Sequence, residues 1–85
     1  SGNITSTNTI NADEFNLTGV GVPTITGNTN LNLSASNAVV IKSPVFRLTP
    51  TTTGSILAAQ NGDIVYDYND HTFYGYANGG WVALH

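Results

Sequence analysis

The chain has 85 residues with two basic and five acidic side chains, which gives a formal net charge of −3. It lacks a basic patch, a cysteine and an apolar run near the roughly 18 residues of a membrane span. These absences argue against nucleic-acid binding, membrane insertion, disulfides and cysteine-based zinc sites. Because the chain begins with Ser1-Gly2 rather than Met, we expect it to be a piece of a longer protein.

Uncharged polar residues dominate the composition. Thr, Asn, Ser and Gly make up 38 of the 85 residues, whereas 40% of the residues are hydrophobic and 8% are charged. Asn, Gly, Ser and Thr oppose continuous helix and favour turns and short strands. Since the apolar content is too high for a disordered chain, this composition predicts an all-β protein with many turns.

The first half contains apolar residues at steps of five or six positions. They are Ile4, Ile10, Phe15, Val20, Ile25 and Leu31, several followed two positions later by a further apolar or small residue. On a straight strand, a step of five residues places successive apolar side chains on opposite faces. On a helix, the same step spreads them around the whole cylinder, so that no single apolar face forms. Only a chain that bends after each short strand keeps such residues on one side.

A ribbon of short strands cannot cover its own apolar edge, so this edge must meet other chains. Three copies wound around one axis would pair every strand and bury each apolar residue against its equivalents. Residues 1–48 are therefore predicted to form an intertwined, homotrimeric, triple-stranded β-helix shaft. A single-chain β-helix is less favoured because its coils need more than five residues per turn.

After Asn30 the apolar spacing indicates longer strands, with corners at Ser36-Asn37 and Ser43-Pro44. The shaft residues predicted to form the trimer core are Ile10, Phe15, Leu17, Val20, Ile25, Leu31, Leu33, Val39, Ile41, Phe46 and Leu48. Residues 49–60 are predicted to be a linker, with a possible helical turn over Ser55 to Gln60.

Residues 61–85 are predicted to form a small C-terminal β-meander head. Alternation predicts strands at 63–68, 72–77 and 81–84, with Ile64, Tyr66 and Tyr68 on one side of the first. Turns are predicted at 69–71 and at 78–80, where Asn78-Gly79 is a strong hairpin signal.

The end of the chain resembles a C-terminal module of trimeric fibre and spike proteins from tailed phages and large double-stranded DNA viruses, chlorella viruses among them. The likeness spans residues 46–84. It is carried by Phe46-Arg47-Leu48, Thr51-Thr52-Thr53, Asn61-Gly62-Asp63-Ile64-Val65-Tyr66, and Phe73-Tyr74-Gly75-Tyr76-Ala77-Asn78-Gly79-Gly80-Trp81-Val82-Ala83-Leu84.

The resemblance implies a structural, non-enzymatic component of the virion surface that acts without a cofactor. Its partners would be two further copies of the chain, and the head would set the register of the trimer and take part in host attachment. An alternative hypothesis is that the head is a carbohydrate-binding module that recognises a host cell-surface glycan through its aromatic residues. No metal-binding or catalytic residue is carried over.

Two groups of residues invite a functional interpretation. Asp67, Asp70 and His71 have the chemistry of a metal or acid/base site, but without a third ligand or a nucleophile we favour an exposed hairpin turn. Tyr74, Tyr76 and Trp81 suit stacking on sugar rings. The alternative, which we favour for these aromatic residues, is that they form the core of the head.

Overall fold

The structure is a computed structural model that describes residues 8–85. It divides into two compact units, one ending at Val39 and the other spanning Val40–His85. The regular elements are a 3-10 helix, Thr53–Ser55, and three strands: β1 (Ile64–Asp67), β2 (Thr72–Ala77) and β3 (Gly80–Ala83). These elements confirm the all-β class. Ile4, where the apolar repeat starts, lies outside the described residues.

Residues 8–50 follow an irregular path with bends and without strand pairing inside the chain. Bends occur at the predicted corners Ser36-Asn37 and Ser43-Pro44, and further bends lie at Asp13, Val20-Gly21 and Asn28-Thr29. With a bend also at Asn8, the bends are five to eight residues apart. No strand is assigned within residues 8–50, so a bend after each short strand stays a prediction.

The head is an antiparallel sheet in the order β1-β2-β3. Ile64 lies opposite Gly75 and Asp67 opposite Thr72 in the first pair of strands, and Tyr76 lies opposite Trp81 in the second. This arrangement confirms the predicted meander. The first strand is shorter than predicted, because Tyr68 already belongs to the turn.

The two hairpins use different turns. Asn78 and Gly79 join β2 to β3 with positive φ at both residues, 54° and 81°, which is the backbone of a two-residue type I′ turn. The first hairpin has a four-residue loop, 68–71, which ends at His71 with φ of 53°. The Asn-Gly signal therefore predicted its turn correctly, whereas the longer loop begins one residue earlier than expected.

The predicted linker is attached to the sheet. Thr51 forms a parallel bridge beside β1, where its N–H donates to the Tyr66 carbonyl at 2.9 Å and its own carbonyl accepts from the Tyr68 N–H at 3.0 Å. The helical turn follows at Thr53–Ser55, so its predicted position over Ser55 to Gln60 is wrong. Within residues 8–85 no helix is long and apolar enough to cross a membrane.

The type I′ turn predicts a clear difference between two neighbouring glycines. Gly79→Ala should lower the free energy of unfolding by roughly 1 kcal/mol, because Gly79 has a φ of 81° that disfavours a Cβ. Gly80→Ala is the control, since neither a positive φ nor a nearby atom opposes its methyl group. Thermal unfolding followed by circular dichroism measures both. Equal losses would contradict the assigned turn.

Candidate functional site

The two faces of the head sheet differ in how well they are covered. Side chains alternate between the faces, and residues opposite each other in the register share a face. We call one side the Trp81 face; it carries Val65, Asp67, Tyr74, Tyr76 and Trp81, which are buried or half-buried, and Ala83, which is exposed. Asp67, the one buried residue of the head, therefore lies on this side.

We call the other side the apolar face. The register places on it Ile64, Tyr66, Phe73, Gly75, Val82 and, one step beyond β3, Leu84. Ile64, Val82 and Leu84 are 57%, 52% and 55% exposed. No hydrophobic side chain among residues 8–85 is fully buried, and this face leaves several of the largest uncovered.

Asp67 is the one buried charged residue in the described part of the chain, with 3% of its surface exposed. Its Oδ2 accepts a hydrogen bond from the Thr53 N–H at 2.8 Å. Its Oδ1 accepts from the Asn69 N–H at 2.8 Å and the Asp70 N–H at 3.1 Å. One carboxylate therefore satisfies the N–H groups of a hairpin turn and of the 3-10 helix that precedes the sheet.

The prediction that Asp67 lies in an exposed turn is wrong. Asp67 ends β1, and the Thr51–Ser55 segment lies against it because Thr51 pairs beside the strand. Asp70 and His71 do lie exposed in the loop, as predicted. The hydrogen bond from Asn69 could be predicted from the local sequence, because an Asp at the start of a turn readily accepts the N–H of the residue two positions later in an Asx turn. The bond to Thr53 has no local signal.

The electrostatics of Asp67 follow from these donors. The Thr53 N–H foremost, followed by the Asp70 and Asn69 N–H groups, lowers the pKa of Asp67 below 3.8, although burial acts in the opposite direction. The carboxylate is thus ionised at neutral pH. Its charge is stabilised by backbone dipoles rather than by a basic side chain.

The three aromatic residues proposed for sugar stacking share the Trp81 face but have partners within the head. Tyr76 and Trp81 pack edge to face across the strands, with ring centroids 5.0 Å apart. The Tyr74 hydroxyl donates to Asp70 Oδ2 at 2.7 Å, and this bond raises the pKa of Tyr74 above 10. All three are half-buried, so each ring has both packed and accessible surface.

Two concavities of the head open on the apolar face of the sheet. One, of about 310 Å³, runs over Gly75 between Ile64 and Val82. The other, of about 290 Å³, separates Tyr66 and Phe73 from the segment 45–50. In the described residues, no three acidic or histidine side chains come together as a metal-binding group.

The predicted shaft residues are uncovered by their own chain. Leu48 is half-buried. The others are between 43% and 108% exposed: Ile10, Phe15, Leu17, Val20, Ile25, Leu31, Leu33, Val39, Ile41 and Phe46. Their role in a trimer core stays a prediction.

Comparisons of the chain with models of protein families, with curated proteins and with solved structures find no match. The resemblance to viral fibre modules therefore stays a prediction, and the interpretation of the site depends on the residues themselves.

The Asp67 hydrogen bonds predict an acid-sensitive head. The pKa of Asp67 is lower in the folded than in the unfolded chain, so its contribution to stability is present above about pH 4. That contribution is lost as the pH falls through the folded value. Asp67→Asn should lower the midpoint of thermal unfolding at pH 7 and flatten its decline in acid.

Asp63→Asn provides the matched control for this prediction. The Asp63 carboxylate accepts one backbone hydrogen bond, from Gln60 at 2.9 Å, against three at Asp67. The midpoint of thermal unfolding at pH 7 should therefore fall less for Asp63→Asn than for Asp67→Asn. If both variants lose the same stability and keep the same acid profile, the role assigned to Asp67 is wrong.

Proposed function

We propose that the chain is the structural tip of a virion fibre or spike, assembled from three copies of itself, and that it acts in host attachment rather than as an enzyme. In this proposal residues 1–48 form the intertwined shaft, and residues 61–85 form the head at the virion surface. The observation that supports this assembly is the large apolar surface that a single copy leaves exposed.

The total accessible area of the chain, polar and apolar together, gives the scale of the surface available for association. The chain has a mass of 8.9 kDa and an accessible area of 7944 Å², whereas a compact monomer of this mass exposes about 4,800 Å². The excess is about 3,100 Å² by the same scaling. An obligate interface buries roughly 1,000–2,500 Å² on each partner. Two neighbours, as each chain of a trimer has, would need about 2,000–5,000 Å², and the excess lies within that range.

The distribution of the apolar residues supports the same proposal. They recur along residues 10–48 at exposed positions, with polar Asn, Thr and Gly residues between them. Exposed apolar surface on this scale marks an interaction surface in soluble proteins. Association along the whole length of the chain requires a partner of comparable length, and identical copies provide it.

Phe15→Asp tests the assembly directly. Sedimentation equilibrium of the parent chain should give three times 8.9 kDa, whereas Phe15→Asp should shift it to the monomer mass because three carboxylates would be buried near one axis. Phe15 is 68% exposed in the single chain, so the substitution has little to disrupt within a monomer.

Thr18→Asp is the control, since it adds the same charge nearby at an exposed polar position. It should keep the trimer mass. A parent chain that sediments as a folded monomer or a dimer contradicts the proposal.

A second candidate function is recognition of host cell-surface carbohydrate by the Trp81 face. The observation in its favour is that Tyr74, Tyr76 and Trp81 lie on one face with accessible ring surface, beside the exposed carboxylate of Asp70. Aromatic faces stack on sugar rings, and Tyr hydroxyls and carboxylates bind sugar hydroxyls.

Glycan-array binding tests this candidate. Trp81→Ala or Tyr74→Ala should remove binding in a protein that still sediments as a trimer, whereas Tyr68→Ala in the first loop should keep it. Tyr68 is a suitable control because it is 53% exposed and lies outside the sheet. Parent protein that binds no glycan, or variants that bind equally well, would exclude the Trp81 face as a sugar site.

A further inference from the structure

We infer that the apolar face of the head is itself a subunit interface, on which the equivalent faces of the two other copies pack. The inference rests on the proposed trimer and assigns the part of the head that faces the axis. Side chains alternate between the two faces of the sheet. One face packs against residues of its own chain, and the other is left for the neighbouring copies to cover.

The first argument is that large apolar side chains are left exposed on one face of the sheet. A sheet with one covered face normally buries its apolar side chains and exposes its polar ones. Here the better-covered side holds Asp67 and Thr72 as well as Val65, Tyr76 and Trp81, whereas Ile64, Val82 and Leu84 lie on the other side with more than half of their surface exposed. The apolar face thus has the composition of a core without the burial of one.

The second argument concerns charge and selects a second copy as the occupant. A face that packs against copies of itself brings identical charges together, and such pairs repel unless neutralised. None of the residues that the strand register places on the apolar face carries a formal charge. Asp63 and His85 lie at its margins, where Asp63 accepts a hydrogen bond from Gln60 and His85 one from Phe73.

The third argument is shape. Gly75 lets the Leu84 side chain pack closely on the middle of the face, because a Cβ at Gly75 would lie 3.2 Å from Leu84 Cδ2. The concavity of about 310 Å³ over Gly75 is bounded by Ile64, Val82 and Leu84. Each copy therefore presents apolar side chains beside an apolar groove. A surface of this shape lets equivalent faces interdigitate.

The fourth argument is continuity with the proposed shaft. The second concavity of the same face has residues 45–48 and Pro50 as its other wall, with Arg47 as the one charged residue of this lining. Phe46 and Leu48 are the last two positions of the predicted trimer core, and they belong to the same compact unit as the sheet. Apolar side chains at the end of the repeat and on the sheet thus line one concavity, with Arg47 beside them, as one axis passing through both requires.

Adjacent positions in β3 give a matched test. Val82 lies on the apolar face and Ala83 on the opposite face, and both are exposed in the single chain. Because the chain has no cysteine, Val82→Cys and Ala83→Cys each introduce a single thiol into the full chain. In protein confirmed as a trimer by sedimentation, a maleimide should label the thiol at position 82 at least ten times more slowly than the thiol at position 83.

The labelling rates separate the two proposals. If the parent chain is not a trimer, the proposed function fails whatever the rates are. If the parent and both variants are trimers and the two thiols react equally fast, the trimer stands, and the apolar face is not its interface. A third possibility, that another molecule covers the face, would then be left as the explanation for its composition.

A charge substitution provides an independent measurement. Val82→Glu should raise the protein concentration at which the trimer dissociates at least tenfold, and Ala83→Glu should leave it unchanged. The edge-to-face pair of Tyr76 and Trp81 on the other side of the sheet reports folding through near-ultraviolet circular dichroism. A folded Val82→Glu variant that dissociates at the parent concentration would overturn the inference.

Discussion

The Asp67 carboxylate is the interaction on which the head depends. A three-stranded sheet of this size has little core, and burial alone stabilises such a unit weakly. Asp67 compensates by accepting N–H groups from two places that are distant in sequence, the 68–71 loop and Thr53. It thereby attaches the segment before the sheet to the hairpin, and it does so with charge-assisted bonds in a site closed to water.

Because of this attachment, the two faces of the head sheet are covered unequally. The Thr51–Ser55 segment, held by Asp67 and by the Thr51 bridge, belongs to the side of the sheet where Trp81 and Tyr76 also pack. On the other side, Leu84 lies over Gly75 and residues 45–50 line a concavity with Tyr66 and Phe73, but Ile64 and Val82 stay exposed. Head and repeat thus both leave apolar side chains exposed, and the proposed trimer would cover both in a single assembly.

Local patterns predicted the local structure. Alternation located the strands, and Asn78-Gly79 located the second turn, because a residue pair that tolerates positive φ determines that turn without help from the rest of the fold. The corners at Ser36-Asn37 and Ser43-Pro44 were predictable because Ser, Asn and Pro favour turns over continuous strand. The buried role of Asp67 was not, because it depends on Thr53, fourteen positions upstream. Which face of the sheet is covered depends on the same contact, so it could not be read from alternation either.

The Thr51 bridge also determines how the sheet ends. Its hydrogen bonds occupy outward-pointing backbone groups of Tyr66 and Tyr68, so the β1 side is partly closed, whereas β3 has no strand beyond it within residues 8–85. Growth of stacked strands into amyloid-like ribbons needs an unpaired edge on both sides of each molecule. A sheet with one blunted edge can join one neighbour by strand addition, and propagation then stops. For a protein with so few charges to keep copies apart, this geometry limits uncontrolled polymerisation.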